Sequence, residues 1–166
     1  MNKLYILIIP FLLLLNGCWL QVADYKDLHE KVDGRMYLRG DSKPYNGQAV
    51  MRYKDKHQDQ EMCYKDGLLH GVWKLYFANG ELSVLGVYKE GKSHGKWRLY
   101  YEDGKILAEE GYLNGNKNGR NRYFSNEGVL IEEVNYVDGE LHGSHKIWDG
   151  DGALISETHY VKGEKQ

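Results

Sequence analysis

The chain is short of the residues that open most functional readings. Of its 166 residues two are proline and twenty are glycine, which excludes a proline-rich disordered chain and favours an ordered one with many tight turns. Two cysteines cannot build a disulfide framework. No basic run is present and the formal net charge is −2 with the signs interspersed, so nothing tracks a phosphate backbone and nucleic acid is not an expected partner. No apolar period of 3.6 residues survives past the N-terminus, and a glycine every few residues makes helix costly. No apolar run reaches the about 20 residues that a membrane-spanning helix needs.

Catalytic and metal-binding patterns are missing too. Ser42, Ser83, Ser93, Ser125, Ser144 and Ser156 carry no nucleophile elbow, and Cys63 has no histidine partner in its own stretch. Glu109/Glu110 and Glu132/Glu133 are neighbours on expected strands, so the members of each pair point to opposite faces and cannot share a proton-transfer site. Asp149-Gly150-Asp151-Gly152 resembles the start of a calcium loop, but its twelfth position is Tyr160. His70, His94 and His142 form one column with Asn118; successive copies lie two strands apart, roughly 9–10 Å at about 4.8 Å per strand, too far to share a zinc ion. Arg39-Gly40-Asp41 joins a strand end to a turn and is read as a chance tripeptide. The expectation is a non-enzyme with no metal and no cofactor.

What the sequence has in abundance is repetition. Tyr64 returns as Tyr88, Tyr112, Tyr136 and Tyr160, Gly67 as Gly91, Gly115, Gly139 and Gly163, and Gly80 as Gly104, Gly128 and Gly152, an unbroken interval of 24 residues. Within a unit, Ala78-Asn79-Gly80 and its copies mark a tight hairpin turn, and Lys65-Asp66-Gly67 and its copies mark a looser one. Strands are expected over 72–77, 81–89, 96–101 and 105–113, joined as an antiparallel meander. A three-residue loop closed by Gly80 pairs Tyr76 with Leu82. The Tyr76/Tyr100/Phe124/Trp148 column, the Leu82/Ile106/Leu130/Leu154 column and the opening tyrosines then share a self-packing face. The opposite face carries Trp73, Leu75, Phe77, Trp97, Leu99 and Tyr101, fading to Asn121 and His145; these six aromatic and apolar residues are the expected binding surface.

The N-terminus is a different object. Asn2-Lys3, an apolar run over residues 4–15 and Leu15-Asn16-Gly17-Cys18 resemble a bacterial lipoprotein signal, cut before a cysteine that then carries the lipid. Residues 1–17 are expected to be the signal peptide, 18–33 a tether, 34–63 an N-terminal strand with a degenerate capping repeat (Lys56 at a turn glycine, Gln58 at a leucine), and 64–166 four repeats with a partial unit. Removing residues 1–17 takes one lysine and no acid. With Cys18 acylated no intrachain disulfide is available, and Cys63 reads as a small apolar strand residue. Trp19 after the lipid cysteine leans towards the outer membrane of a Gram-negative cell.

The pattern Tyr-x-x-Gly-x-x-x-Gly-x-Trp-x-x-Tyr-x-x-x-Gly-x-Leu resembles the bacterial MORN-variant repeat, over about residues 34–162, with departures at Asn121, His145 and Lys56. That resemblance implies an all-β fold, an elongated, twisted, single-layer antiparallel ribbon of β-hairpins. It implies a scaffold or binding surface for a protein or envelope component, membrane-tethered through the lipid. Members often labelled YwqK-type antitoxins suggest, as the alternative, neutralisation of a toxic protein.

Overall fold

The computed structural model describes residues 21–52 and 59–166. The apolar run at 4–15, Cys18, Lys56 and Gln58 lie outside them. The described chain forms β1 (Val22–Asp24), a 3-10 turn (Tyr25–Asp27), β2 (Leu28–Glu30), β3 (Met36–Leu38), β4 (Gly47–Met51), β5 (Gln60–Lys65), β6 (Leu68–Tyr76) and β7 (Leu82–Lys89). There follow β8 (Lys92–Ser93), β9 (Gly95–Tyr100), β10 (Ile106–Leu113), β11 (Asn116–Lys117), β12 (Gly119–Phe124), β13 (Leu130–Val137), β14 (Glu140–Trp148), β15 (Leu154–Val161) and β16 (Glu164–Lys165). From β4 onwards the strands pair antiparallel in chain order, except that the two-residue β8 and β11 lie off the path and pair with β7 and β10, giving one long open sheet of hairpins as expected.

Two turns alternate, and their tightness is the reverse of the sequence expectation. Lys65 faces Leu68 across a loop of two residues, Asp66 at φ +50° and Gly67 at φ +74°, the pattern of a type I′ turn. Its copies place Glu90, Asn114, Asp138 and Lys162 at nearly the same φ. The glycine of each such turn donates its N–H back to the preceding unit: Gly67 to Tyr45 O, Gly91 to Leu69 O, Gly115 to Ser93 O, Gly139 to Lys117 O and Gly163 to Leu141 O, at 2.8–2.9 Å. The other turn is the looser one. Phe77 N donates to Glu81 O at 2.7 Å and Gly80 N to Phe77 O at 2.9 Å, so three residues form the loop, closed by Gly80 at φ +88°.

Tyr76 faces Leu82, as the three-residue loop requires. One residue later the register shifts, because Leu75 faces Val84 and Ser83 is left extra. Leu107, Ile131 and Ile155 are the same extra residue in later units. An added residue inverts the alternation beyond it, so Tyr88 does not share the face of Tyr76 and Leu82. It stands opposite Gly71, on the face of Trp73. The expected grouping of the opening tyrosines with the Tyr76 column is therefore corrected.

That inverted face is the inner one. It carries Ala49, Met62, Tyr64, Trp97, Ala108, Asn121 and Val134, none more than 9% exposed. At its N-terminal end the segment expected to be a tether is folded. β1 pairs parallel with β4, β2 pairs with β3, and Ala23 and Leu28 join Tyr45, Ala49, Met62 and Tyr64 in a buried cluster that Trp73 and Leu69 pack against. Three-residue strands with no period of their own hide this cap from a sequence reading. Cys63 is 7% exposed within β5, as a small apolar strand residue should be, but it is disulfide-bonded and not solitary.

Gly86 shows how closely the inner face is packed. A Cβ built there would lie 2.5 Å from the Trp97 ring. Gly86→Ala is expected to cost about 1–3 kcal/mol by overpacking. In a Trp97→Ala background the same change should cost less than half as much, checked by urea unfolding of the four members of the cycle.

Candidate functional site

The sheet offers two surfaces of unlike chemistry. On the inner face aromatic rings stack across strands: Trp73 and Trp97 lie 5.6 Å apart, Tyr88 meets Trp97 edge-on at 5.2 Å, and Tyr112 follows at 5.5 Å. Trp97 Nε1 donates to Val87 O at 3.2 Å. The Trp column then changes chemistry. Asn121, fully buried, accepts a hydrogen bond from Gly111 N at 3.1 Å, and His145 Nε2 lies 2.8 Å from Glu132 Oε1.

The change is matched in the neighbouring column. Where Trp97 lies over Gly86, Asn121 stands beside Glu110, so a large ring over no side chain is replaced by a small amide beside a long one. Glu110 is held from three sides. Tyr112 OH donates to it at 2.7 Å, and Lys117 Nζ and Tyr123 OH each donate at 2.8 Å. Burial pushes the Glu110 carboxyl up, but these three donors outweigh it and leave it below its ordinary value. Burial first, and then the bond to Glu110, pushes the Tyr112 hydroxyl up to about 12. Burial lowers Lys117, yet Glu110 and Tyr123 win and hold it above its usual range. The charged and phenolic groups of Glu110, Tyr112, Lys117 and Tyr123 are all engaged, so the cluster holds its protons in place and packs this part of the sheet.

The six residues expected to bind do not form one surface. Trp73, Leu75, Trp97 and Leu99 point to the inner face, where Trp97 is only 9% exposed. Phe77 and Tyr101 lie just past the ends of β6 and β9, where their N–H groups close the three-residue loops, and Tyr101 OH donates to Phe124 O at 2.8 Å. The self-packing and open faces are thus exchanged relative to expectation.

The outer face carries an array that sequence reasoning missed. Glu61, Lys74, Leu85, Arg98, Glu109, Arg122, Glu133, Lys146 and Glu157 face one another in succession across nine strands. Ion pairs run along it: Lys74–Glu61 at 3.1 Å, Arg98–Glu109 at 3.2 Å, Arg122–Glu109 at 3.7 Å, Arg122–Glu133 at 3.1 Å and Lys146–Glu157 at 3.1 Å. Signs alternate except at Leu85. Two residues beyond each cation sits a half-buried aromatic: Tyr76, Tyr100, Phe124 and Trp148. The signal was available, since both charged columns keep the 24-residue interval. A depression of about 380 Å³ opens where β9, β10 and β12 meet, lined by Lys96, Arg98, Arg120 and Arg122 around Glu109 and Gly111. Glu110 also lines it, and three of the four cations are already paired with carboxylates: Arg98 with Glu109 at 3.2 Å, and Arg120 and Arg122 with Glu133 at 3.8 and 3.1 Å. In the histidine column, His70 Nδ1 accepts from Glu90 N at 3.5 Å, a backbone group of the next type I′ turn twenty residues on.

Glu110 sets a pH signature. Its carboxyl lies below the ordinary 4.5 in the fold, so its stabilisation is present above that pH and is lost as pH falls through the folded value. Lys117, raised, changes only above 10.5 and leaves this window alone. Glu110→Gln is expected to cost about 1–3 kcal/mol at pH 7. That difference from the unsubstituted chain should shrink steadily below about pH 4.5, as urea titrations between pH 3 and 7 would show.

Comparison with known proteins bears on the same stretch of sheet. The MORN repeat variant matches residues 69–90, 93–114 and 117–138, windows 24 residues apart that each begin just after a type I′ turn. No curated protein matches the chain. Residues 69–138 are thus a run of three MORN repeat variants.

Proposed function

We propose that this protein is a non-catalytic binding or scaffold module, lipid-anchored through Cys18 at a bacterial cell envelope, that holds a protein or envelope component on its outer face. The observation that carries the reading is the outer array. Four half-buried aromatics recur at one position, each two residues from a cation of the charged row, and the depression at β9, β10 and β12 adjoins them. Aromatic and arginine side chains are the usual anchors of protein interfaces, and a regular row of alternating charges suits an extended partner that carries both signs. The inner face is spent on the protein's own packing. The apolar run at 4–15 ending at Cys18 supports the anchor.

The anchor is tested by metabolic labelling. Cells grown with an alkyne fatty acid should label the unsubstituted chain and leave Cys18→Ala unlabelled. Label retained by Cys18→Ala, or absent from both, would overturn the anchor. For the outer face, crosslinking in intact cells with mass spectrometry is expected to recover a partner with the unsubstituted chain. Recovery should fall about tenfold or more for Tyr100→Ala/Phe124→Ala, on the scale of a lost interface anchor. Undiminished recovery from a folded variant would show that the partner sits elsewhere.

A further inference from the structure

The repeats allow one edge of the sheet to be compared with its own interior. In each inner unit the strand after the three-residue loop is covered on its far side by the next unit. Val84 and Leu85 face Leu99 and Arg98, Ala108 and Glu109 face Tyr123 and Arg122, and Glu132 and Glu133 face Ile147 and Lys146. The equivalent residues of β15 are Ser156 and Glu157. β16 covers only Tyr160 and Val161, and Gln166 N donates to His159 O at 2.9 Å. Among the described residues, 154–158 therefore have a strand on one side only.

Side chains record the same gap. Ile155 is 64% exposed, whereas Ser83 at the same repeat position is 8% exposed and Leu107 and Ile131 are half-buried. Leu154 is 51% exposed, whereas Leu82, Ile106 and Leu130 are half-buried. The interior also specifies what covers such an edge. The residue facing the position of Glu157 is a cation in every unit, namely Lys74, Arg98, Arg122 and Lys146, with an aromatic two residues on. Glu157 already pairs with Lys146 at 3.1 Å on its inner side, and its outer side is the next step of an alternating row.

We infer that the outer edge of β15, residues 154–158, is a strand-addition site for an extended segment of a partner protein bearing a cation and, two residues later, an aromatic. The segment runs antiparallel, takes the open backbone groups, sets its cation against Glu157 and covers Leu154 and Ile155. A second copy of β15 fits less well. Two-fold pairing centred on Ser156 sets Glu157 against Ile155 and supplies no cation. The inference stands apart from the anchor and the outer face, and either can fail without it.

The test uses the full-length chain in detergent and a fluorescein-labelled synthetic peptide of residues 93–116, one repeat containing β9 and β10. Fluorescence anisotropy is expected to show saturable binding. Glu157→Lys should weaken it about tenfold, the scale of turning an attractive cross-strand pair into a repulsive one. A peptide carrying Arg98→Glu should restore binding to the Glu157→Lys chain while binding the unsubstituted chain poorly. Ile155→Lys should also weaken binding, and hydrogen exchange of 154–158 should slow when peptide is added. Absence of saturation by about 1 mM, or binding indifferent to Glu157→Lys, would overturn the assignment. So would concentration-dependent dimerisation that Ile155→Lys abolishes, since the edge would then belong to a second copy.

Discussion

One extra residue per unit governs the whole sheet. The register shift at Ser83, Leu107, Ile131 and Ile155 gives the strand after each three-residue loop one more residue than its partner has. Because side chains alternate, that residue decides which half of each strand looks inward. It brings Tyr88 and Tyr112 beside Trp73 and Trp97 and leaves Tyr76 and Tyr100 outside. Without it, tyrosines and tryptophans would fall on opposite faces and neither set would make a continuous stack. Beyond the N-terminal cap, where β2 and β3 contribute Leu28, no second sheet among the described residues covers the ribbon, so its inner face is buried by its own rings lying over their neighbours.

The stack also explains how the units tolerate departures from their pattern. Losing a tryptophan from the middle of such a row would leave a cavity, at a cost of about 3–5 kcal/mol if nothing filled it. At Asn121 the adjacent column supplies the volume, since Glu110 replaces glycine and brings Lys117, Tyr112 and Tyr123 with it. The exchange is not free of penalty: Asn121 Nδ2 is buried without a hydrogen-bond partner. Non-recurring residues in a repeat protein are natural candidates for a functional surface. Here the most conspicuous of them, from Trp97 to Asn121, is a packing substitution.

Much of the architecture is written in local chemistry and could be read without coordinates. The 24-residue interval, the glycines at 67 and 80 and the Tyr76–Leu82 pairing follow from turn geometry, which depends on a few adjacent residues. The inner and outer faces could not be assigned in the same way. The bulge position is filled by Ser, Leu, Ile and Ile, residues that any strand accepts, so no side chain announces it. The cap at residues 22–30 was illegible for another reason, because its strands are short and β1 pairs with a segment more than twenty residues away. The charged row was legible and overlooked, since acids and bases in separate columns draw notice only once strands are laid side by side.

The backbone bonds from each type I′ turn glycine to the preceding unit have a mechanical consequence. Along that margin every repeat is pinned to the last by a main-chain contact of 2.8–2.9 Å. Along the margin of the three-residue loops the links are side-chain ones, such as Asn79 Nδ2 to Glu102 O at 3.3 Å and Lys105 Nζ to Asn126 O at 2.8 Å. Side-chain links at an exposed margin yield more readily than backbone ones. The molecule therefore has a stiff spine and a compliant fringe, like a fan hinged on one side. Flexing it changes the spacing of Tyr76, Tyr100, Phe124 and Trp148, which lie next to the fringe, far more than the spacing of the turns that anchor the spine.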